Sequence, residues 1–136
     1  MIAEPVVEVG TVLPELVIRA DPTFIVSTAL ATRDFQDVHH DRDKAVARGS
    51  KDIFVNILTD TGLVQRFVTD WAGPSAIVKS LALRLGVPLY AGDTLTLTGV
   101  VTAVAGADVH IEVIGRDELG DHITAQAVLT YRGAHD

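Results

Sequence analysis

The chain has 136 residues, enough for one domain with a real core, and 48% of them are apolar, which argues against disorder. Eighteen acidic residues against eleven basic ones give a net charge of −7, so there is no basic footprint for nucleic acid, and an anionic ligand would need a local basic or amide-lined site. The absence of cysteine excludes disulfides, thiolate nucleophiles and sulfur-ligated metals, and no apolar run is long enough to span a membrane.

Met1 to Gly10 carries Glu4 and Glu8 and does not read as a signal peptide, so a cytoplasmic protein is expected. Phe24 to Thr32, rich in Val, Ile, Thr and Ala, reads as a strand starting near Pro22. Residues 33–52 are polar and charged, with Gly49-Ser50 as a turn, and read as a surface loop of the kind that carries function. From Ile53 to Val68 apolar side chains fall at the helical period, and Trp71-Ala72-Gly73-Pro74 stops that helix. Gly62 inside it costs up to about 1 kcal/mol of propensity. Close approach of another backbone would explain it, and so would simple tolerance.

Four strands are predicted next. Ala76 to Leu85 places Ile77, Leu81, Leu83 and Leu85 on one side. Thr94 to Val104 alternates apolar residues with threonines. Val109 to Val113 and Ile123 to Tyr131 alternate likewise, with turns at Gly92-Asp93, Gly106-Ala107-Asp108 and Gly115 to Asp121. The order is strand, long loop, one long helix, four strands: an α+β antiparallel sheet covered by a single central helix. No βαβ repeat and no glycine-rich phosphate loop is present. The threonine face of 94–104 can meet another subunit, or reflect strand preference alone.

The chemistry concentrates in Arg33-Asp34-Phe35-Gln36-Asp37-Val38-His39-His40-Asp41. A carboxylate that orients an imidazole can move a proton between water and substrate, which makes Asp34 and His39 the candidate catalytic pair. Five positions apart, they would point to opposite faces of a regular strand, so the chain must turn or start a short helix between them. The plain alternative is a turn residue and a solvated histidine. His40, Asp37 and Asp41 do not complete a metal shell with His110 on a strand, His122 in a turn or His135 in a frayed tail, and no metal is expected. Asn56, near the helix start, either helps hold a ligand carbonyl beside exposed N–H groups, or is a simple helix cap or a buried amide packed against the loop. Arg42, Lys44, Arg48 and Lys51 can meet phosphates or simply solvate the surface. Phe54 and Phe67 are expected in the core, Phe35 beside the pair, and Trp71 packed at the helix end.

Asp34-Phe35-Gln36-Asp37-Val38-His39 resembles the hydratase motif of the MaoC-like (R)-specific enoyl-CoA hydratases, Asp-x-Asn-Pro-x-His, with Gln36-Asp37 in place of Asn-Pro. Thr28 through Pro74, Leu83 to Pro88 and Gly115 to His122 are similar in particular to the small MaoC-like subunit of the steroid side-chain enoyl-CoA hydratase of cholesterol-degrading actinobacteria. The resemblance implies one MaoC-like domain over residues 1–136 with the hot-dog fold, an antiparallel sheet wrapped around one long helix. It assigns Asp34 and His39 as catalytic and Asn56 to oxyanion or thioester positioning, although the family has a glycine after a histidine where Val55-Asn56 stand here.

The implied reaction hydrates the 17(20) double bond of a C22 steroid coenzyme A thioester. No cofactor is implied beyond the coenzyme A of the substrate. The implied partner is a larger subunit with MaoC-like and DUF35-type domains, in an α2β2 heterotetramer that can engage a thiolase-like aldolase. A homodimeric hydratase for ordinary enoyl-CoA, an acyl-CoA thioesterase and a non-catalytic partner subunit are the competing readings.

Overall fold

Alternation of large apolar with polar side chains builds most of this molecule. In the computed structural model, which describes Pro5 and residues 7–132, five strands form one antiparallel sheet. They are β1 (Val12–Arg19), β2 (Ala76–Leu85), β3 (Thr94–Ala105), β4 (Asp108–Asp117) and β5 (Gly120–Tyr131), in the spatial order β1-β3-β4-β5-β2. Helices α1 (Pro22–Ala31), α2 (Arg42–Ala47) and α3 (Ile57–Ala72) and a 3-10 turn at Asp37–His39 complete it. Most of the first six residues and His135 lie outside the described residues.

The inner sheet face is lined by Leu95, Leu97, Val101, Ile111, Val113, Ile123, Ala125, Ala127 and Leu129, all buried. Against it α3 turns Leu63, Val64, Phe67, Val68 and Ala72, one face of a helix at the 3.6-residue period. Each large side chain withdrawn from water here contributes about 1.5–3 kcal/mol. Gly99 opens room for the helix, since a Cβ there would stand 2.9 Å from the Phe67 ring. Gly62 meets nothing within 4 Å, so close backbone approach does not explain it.

Several expectations are corrected. Residues 22–31 are α1, not a strand: Asp21 Oδ1 accepts from the Phe24 N–H at 2.8 Å as N-cap, and Pro22 occupies the first helical position. The first strand is instead β1, an edge strand whose bulge between Leu13 and Leu16 accommodates Pro14. Helix α3 begins four residues later than predicted because 53–55 is extended and pairs with 89–91. There the Val55 N–H donates to the Leu89 carbonyl (3.1 Å) and the Ala91 N–H to Ile53 (3.1 Å). In β2 a register shift between Val78 and Ser80 turns Val78, with Leu81 and Leu83, toward the core and leaves Ile77 exposed. The stretch 33–52, read as a loop, contains the 3-10 turn and α2.

Candidate active site

The end of α1 is where the site begins. Thr32 closes the helix, and Arg33 takes a left-handed φ of 58°, unusual for a side-chain-bearing residue. That reversal lets the Asp34 N–H donate back to the Ala29 carbonyl at 2.9 Å. The chain then runs extended to the 3-10 turn, so the bend that the spacing of Asp34 and His39 demanded is made by Asp37–His39. Behind the turn Asp41 caps α2 by accepting from the Lys44 N–H (3.1 Å), and Arg48 pairs with Asp37 at 2.9 Å. His40 is exposed. These residues brace the loop.

His39 is buried at 6% exposure and stands edge-on to the Phe54 ring. Its Nδ1 lies 2.7 Å from the Phe54 carbonyl oxygen. A carbonyl only accepts, so Nδ1 carries a proton, and in the neutral tautomer that this selects, Nε2 presents a bare lone pair. That lone pair is 3.5 Å from Asp34 Oδ2. Two acceptors side by side do not bond each other, but both can receive hydrogens from one small donor such as water.

Asn56 locks the carboxylate. Its Nδ2 donates to Asp34 Oδ2 (3.2 Å) and Thr32 Oγ1 (2.9 Å), while Oδ1 accepts from the Thr59 hydroxyl. Thr32 Oγ1 in turn donates to the Thr28 carbonyl at 2.8 Å. Every hydrogen in this chain has one consistent direction, which fixes the amide and with it Asp34. Asn56 occupies the N-cap position of α3, but its side chain makes no capping hydrogen bond and is instead a buried amide bonded to the loop. The N–H groups of Asn56 and Ile57 have no hydrogen-bond partner among the described residues.

Of these residues His39, Asn56 and Ile57 line a cleft of about 170 Å³, together with Phe54, Leu85 and Gly86, among others. Small-molecule sites commonly enclose about 300–1,000 Å³. The cleft is therefore too small to bury a large ligand unaided, and Ile57 and Leu85 in its lining are 49% and 38% exposed. A polar groove of about 520 Å³ on the other side of the loop is lined by Phe35, Gln36, Asp37, His40, Lys44 and Arg48. Phe35, expected beside the pair, is 66% exposed there. Trp71 is half-buried and packs on the core at the end of α3 as expected.

Sequence reasoning missed Thr32 and Thr59, whose hydroxyls complete the Asn56 network. It also missed a second pair: His122, expected in a turn, is buried on β5, with Nε2 2.8 Å from Asp60 Oδ2. No three His, Cys, Asp or Glu side chains gather to hold a metal ion among the described residues.

No protein-family model matches the chain. It is 73% identical over 124 residues to the 3-oxo-4,17-pregnadiene-20-carboxyl-CoA hydratase beta subunit of Mycobacterium tuberculosis (strain ATCC 25618 / H37Rv), a match covering 91% of this chain and 96% of that protein. The chain belongs to that hydratase beta-subunit family. A chain in the crystal structure of the ChsH1-ChsH2 complex from Mycobacterium tuberculosis superposes with a TM-score of 0.91 at 71% identity, covering 93% of this chain and all of that one. The (R)-hydratase of A. caviae involved in PHA biosynthesis superposes at 0.82 over 92% of this chain and 97% of its own, at 21% identity, a likeness of fold. The beta-subunit family thus has the MaoC-like hot-dog fold, as the motif implied.

Proposed function

We propose that the chain is the catalytic small subunit of a hydratase that adds water to the 17(20) double bond of a C22 steroid thioester, 3-oxo-4,17-pregnadiene-20-carboxyl-CoA. The observation that carries the reading is the pairing of two acceptors, His39 Nε2 and Asp34 Oδ2, 3.5 Å apart, with His39 in the lining of the cleft. A water bound between them donates one hydrogen to each and turns its lone pair toward the β carbon of the bound enoyl thioester. As the C–O bond forms, the π electrons move to the α carbon and the thioester oxygen gains negative charge. The water gives up one proton to the dyad, the second stays on the new hydroxyl, and the dyad returns its proton to the α carbon. Water is consumed whole, and the dyad ends as it began.

The free N–H groups of Asn56 and Ile57 at the start of α3 are the candidate donors for the enolate oxygen, a contact that strengthens as charge develops. The Asn56 side chain has a different task, holding Asp34 at its hydrogen-bond distance. No cofactor enters this chemistry; coenzyme A belongs to the substrate.

A partner follows from size. The cleft of about 170 Å³ and its exposed apolar rim fit a substrate whose ring system is enclosed by a second subunit. We propose that residues 1–136 form one domain that pairs in the cytoplasm with a larger subunit bearing MaoC-like and DUF35-type domains, as an α2β2 heterotetramer able to engage a thiolase-like aldolase.

The test compares the chain alone and with that subunit on the steroid enoyl-CoA, a linear enoyl-CoA and a saturated acyl-CoA. The expected result is hydration of the steroid thioester by the complex only. Equal activity of the isolated chain on linear enoyl-CoA would point to an ordinary homodimeric hydratase, and release of free thiol from the saturated substrate to a thioesterase.

A further inference from the structure

The wall of the cleft contains a histidine that the hydration chemistry does not use. His122 is 2% exposed on β5, and both its ring nitrogens are occupied: Nδ1 lies 2.6 Å from the Val87 carbonyl and Nε2 2.8 Å from Asp60 Oδ2. Asp60 is fully buried in the first turn of α3, and its Oδ1 has no partner among the described residues. The carbonyl at Nδ1 requires a proton on that nitrogen, and the Nε2–Oδ2 contact requires one more between them. Neither nitrogen is left for a ligand. His122 is therefore unsuited to exchange protons with substrate, although it lines the same cleft as His39.

What the pair does hold together is three elements. Asp60 belongs to α3, His122 to β5, and Val87 to the segment that follows β2. The same segment donates its Gly86 N–H to the His122 carbonyl (2.9 Å) and its Val87 N–H to the Asp121 carbonyl (3.0 Å). Gly86 is pressed so closely on this strand that a Cβ would stand 2.3 Å from the Asp121 oxygen. Farther along, Leu89 and Ala91 pair with Val55 and Ile53, on either side of the Phe54 carbonyl that receives the His39 Nδ1–H. The wall is thus anchored at one end by His122 and joined at the other to the backbone that orients His39.

We propose that Asp60 and His122 are positioning residues, a buried latch that fixes the wall Leu85–Pro88 against the start of α3. The latch sets the spacing between that wall, the Asn56 and Ile57 amides, and His39. Its catalytic consequence rests on the hydratase reading: a loosened latch misplaces the enolate donors relative to the dyad and lowers kcat more than it raises KM.

Two replacements of Asp60 separate this from a purely structural role. Asp60→Asn keeps the link, because its amide N–H can donate to Nε2 while Nδ1–H stays on Val87. Asp60→Leu fills a similar volume and severs it. Both are made in the assembled complex and read by hydrogen exchange at Gly86 and Val87 and by kcat and KM per folded complex. Asp60→Leu is expected to speed exchange at those two amides about tenfold more than in β3 and β4. It is expected to lower kcat about tenfold while KM stays within about twofold. Asp60→Asn should leave all of these near wild type.

Exchange that rises no more at 86–87 than in β3 and β4, or an unchanged kcat in Asp60→Leu, would overturn the latch. Should Asp60→Leu fail to assemble, His122→Gln, which keeps a donor toward Asp60 and loses Val87, makes the same comparison. A wild-type complex that hydrates nothing would sink the hydratase reading, and the exchange comparison would still decide the latch.

Discussion

Two histidine–carboxylate pairs each place their histidine in the lining of one cleft, and their differences matter more than their shared composition. In Asp34–His39 the atoms are 3.5 Å apart, Asp34 keeps 20% of its side chain exposed, and His39 Nε2 meets no hydrogen-bond donor among the described residues. In Asp60–His122 the contact is 2.8 Å, both side chains are nearly or fully buried, and both ring nitrogens are engaged. The first pair presents two acceptors to one small donor. The second has committed its hydrogen-bonding capacity to the fold. A carboxylate beside an imidazole becomes a proton-transfer device only where such acceptors face a ligand.

That contrast can be broken most severely at the open pair. His39→Ala in the assembled complex should lower kcat about 10³-fold with the fold intact, within the range for loss of a general acid–base. A melting temperature unchanged beside the lost activity would show that the residue serves chemistry. At the closed pair the balance should invert. Asp60→Ala leaves His122 buried without its partner and should cost about 3 kcal/mol of stability, read by denaturant titration. Asp60→Asn should cost far less, since its amide can still donate to Nε2.

The pH dependence of stability sharpens the comparison further. Burial pushes the Asp60 carboxyl up, against the opposing His122 hydrogen bond. At His122 burial acts to lower the value, but the hydrogen bond and charge of Asp60 and the Val87 carbonyl outweigh it, and the net shift is upward. Both groups therefore bind protons more tightly folded than unfolded. The His122 contribution is fully present below its unfolded value of 6.5 and is lost as pH rises through the higher folded value. The slope can reach about 1.4 kcal/mol per pH unit. Thermal melts upward from that pH should show the decline in the wild-type chain and a flatter profile in Asp60→Asn.

The smallest effect lies away from both pairs. Gly62 is exposed in α3 with nothing around a Cβ. Gly62→Ala should stabilise by about 0.5–1 kcal/mol, measured by thermal unfolding, and leave both pairs untouched.

Much of the sheet was legible because its signal is local. Strands β3 to β5 alternate cleanly between turns, and only their ends moved. Residues 22–31 misled because β-branched side chains suggested a strand, whereas Asp21-Pro22 supplied a cap and a first helical residue. Thr28 also satisfies its hydroxyl on the Phe24 carbonyl at 2.7 Å, within the helix. Strand β1 was hidden by Pro14, which only an edge position with a bulge tolerates. The open pair was legible because Asp34 and His39 sit in one short motif. The closed pair was not: Asp60 and His122 are 62 positions apart, and no local pattern announces that α3 and β5 will bring them together. Asn56 was found, but its partners Thr32 and Thr59 are ordinary helix and strand formers that become informative only in three dimensions.

The most direct test is to follow the conjugated enoyl absorbance and product mass when the steroid coenzyme A thioester meets the complex of this chain with the proposed large subunit, wild type against Asp34→Asn. The account predicts that the wild-type complex converts the thioester to a product heavier by one water, while the Asp34→Asn complex binds it without turning it over. Hydration at the wild-type rate by the Asp34→Asn complex would contradict the assignment of catalysis to the open pair.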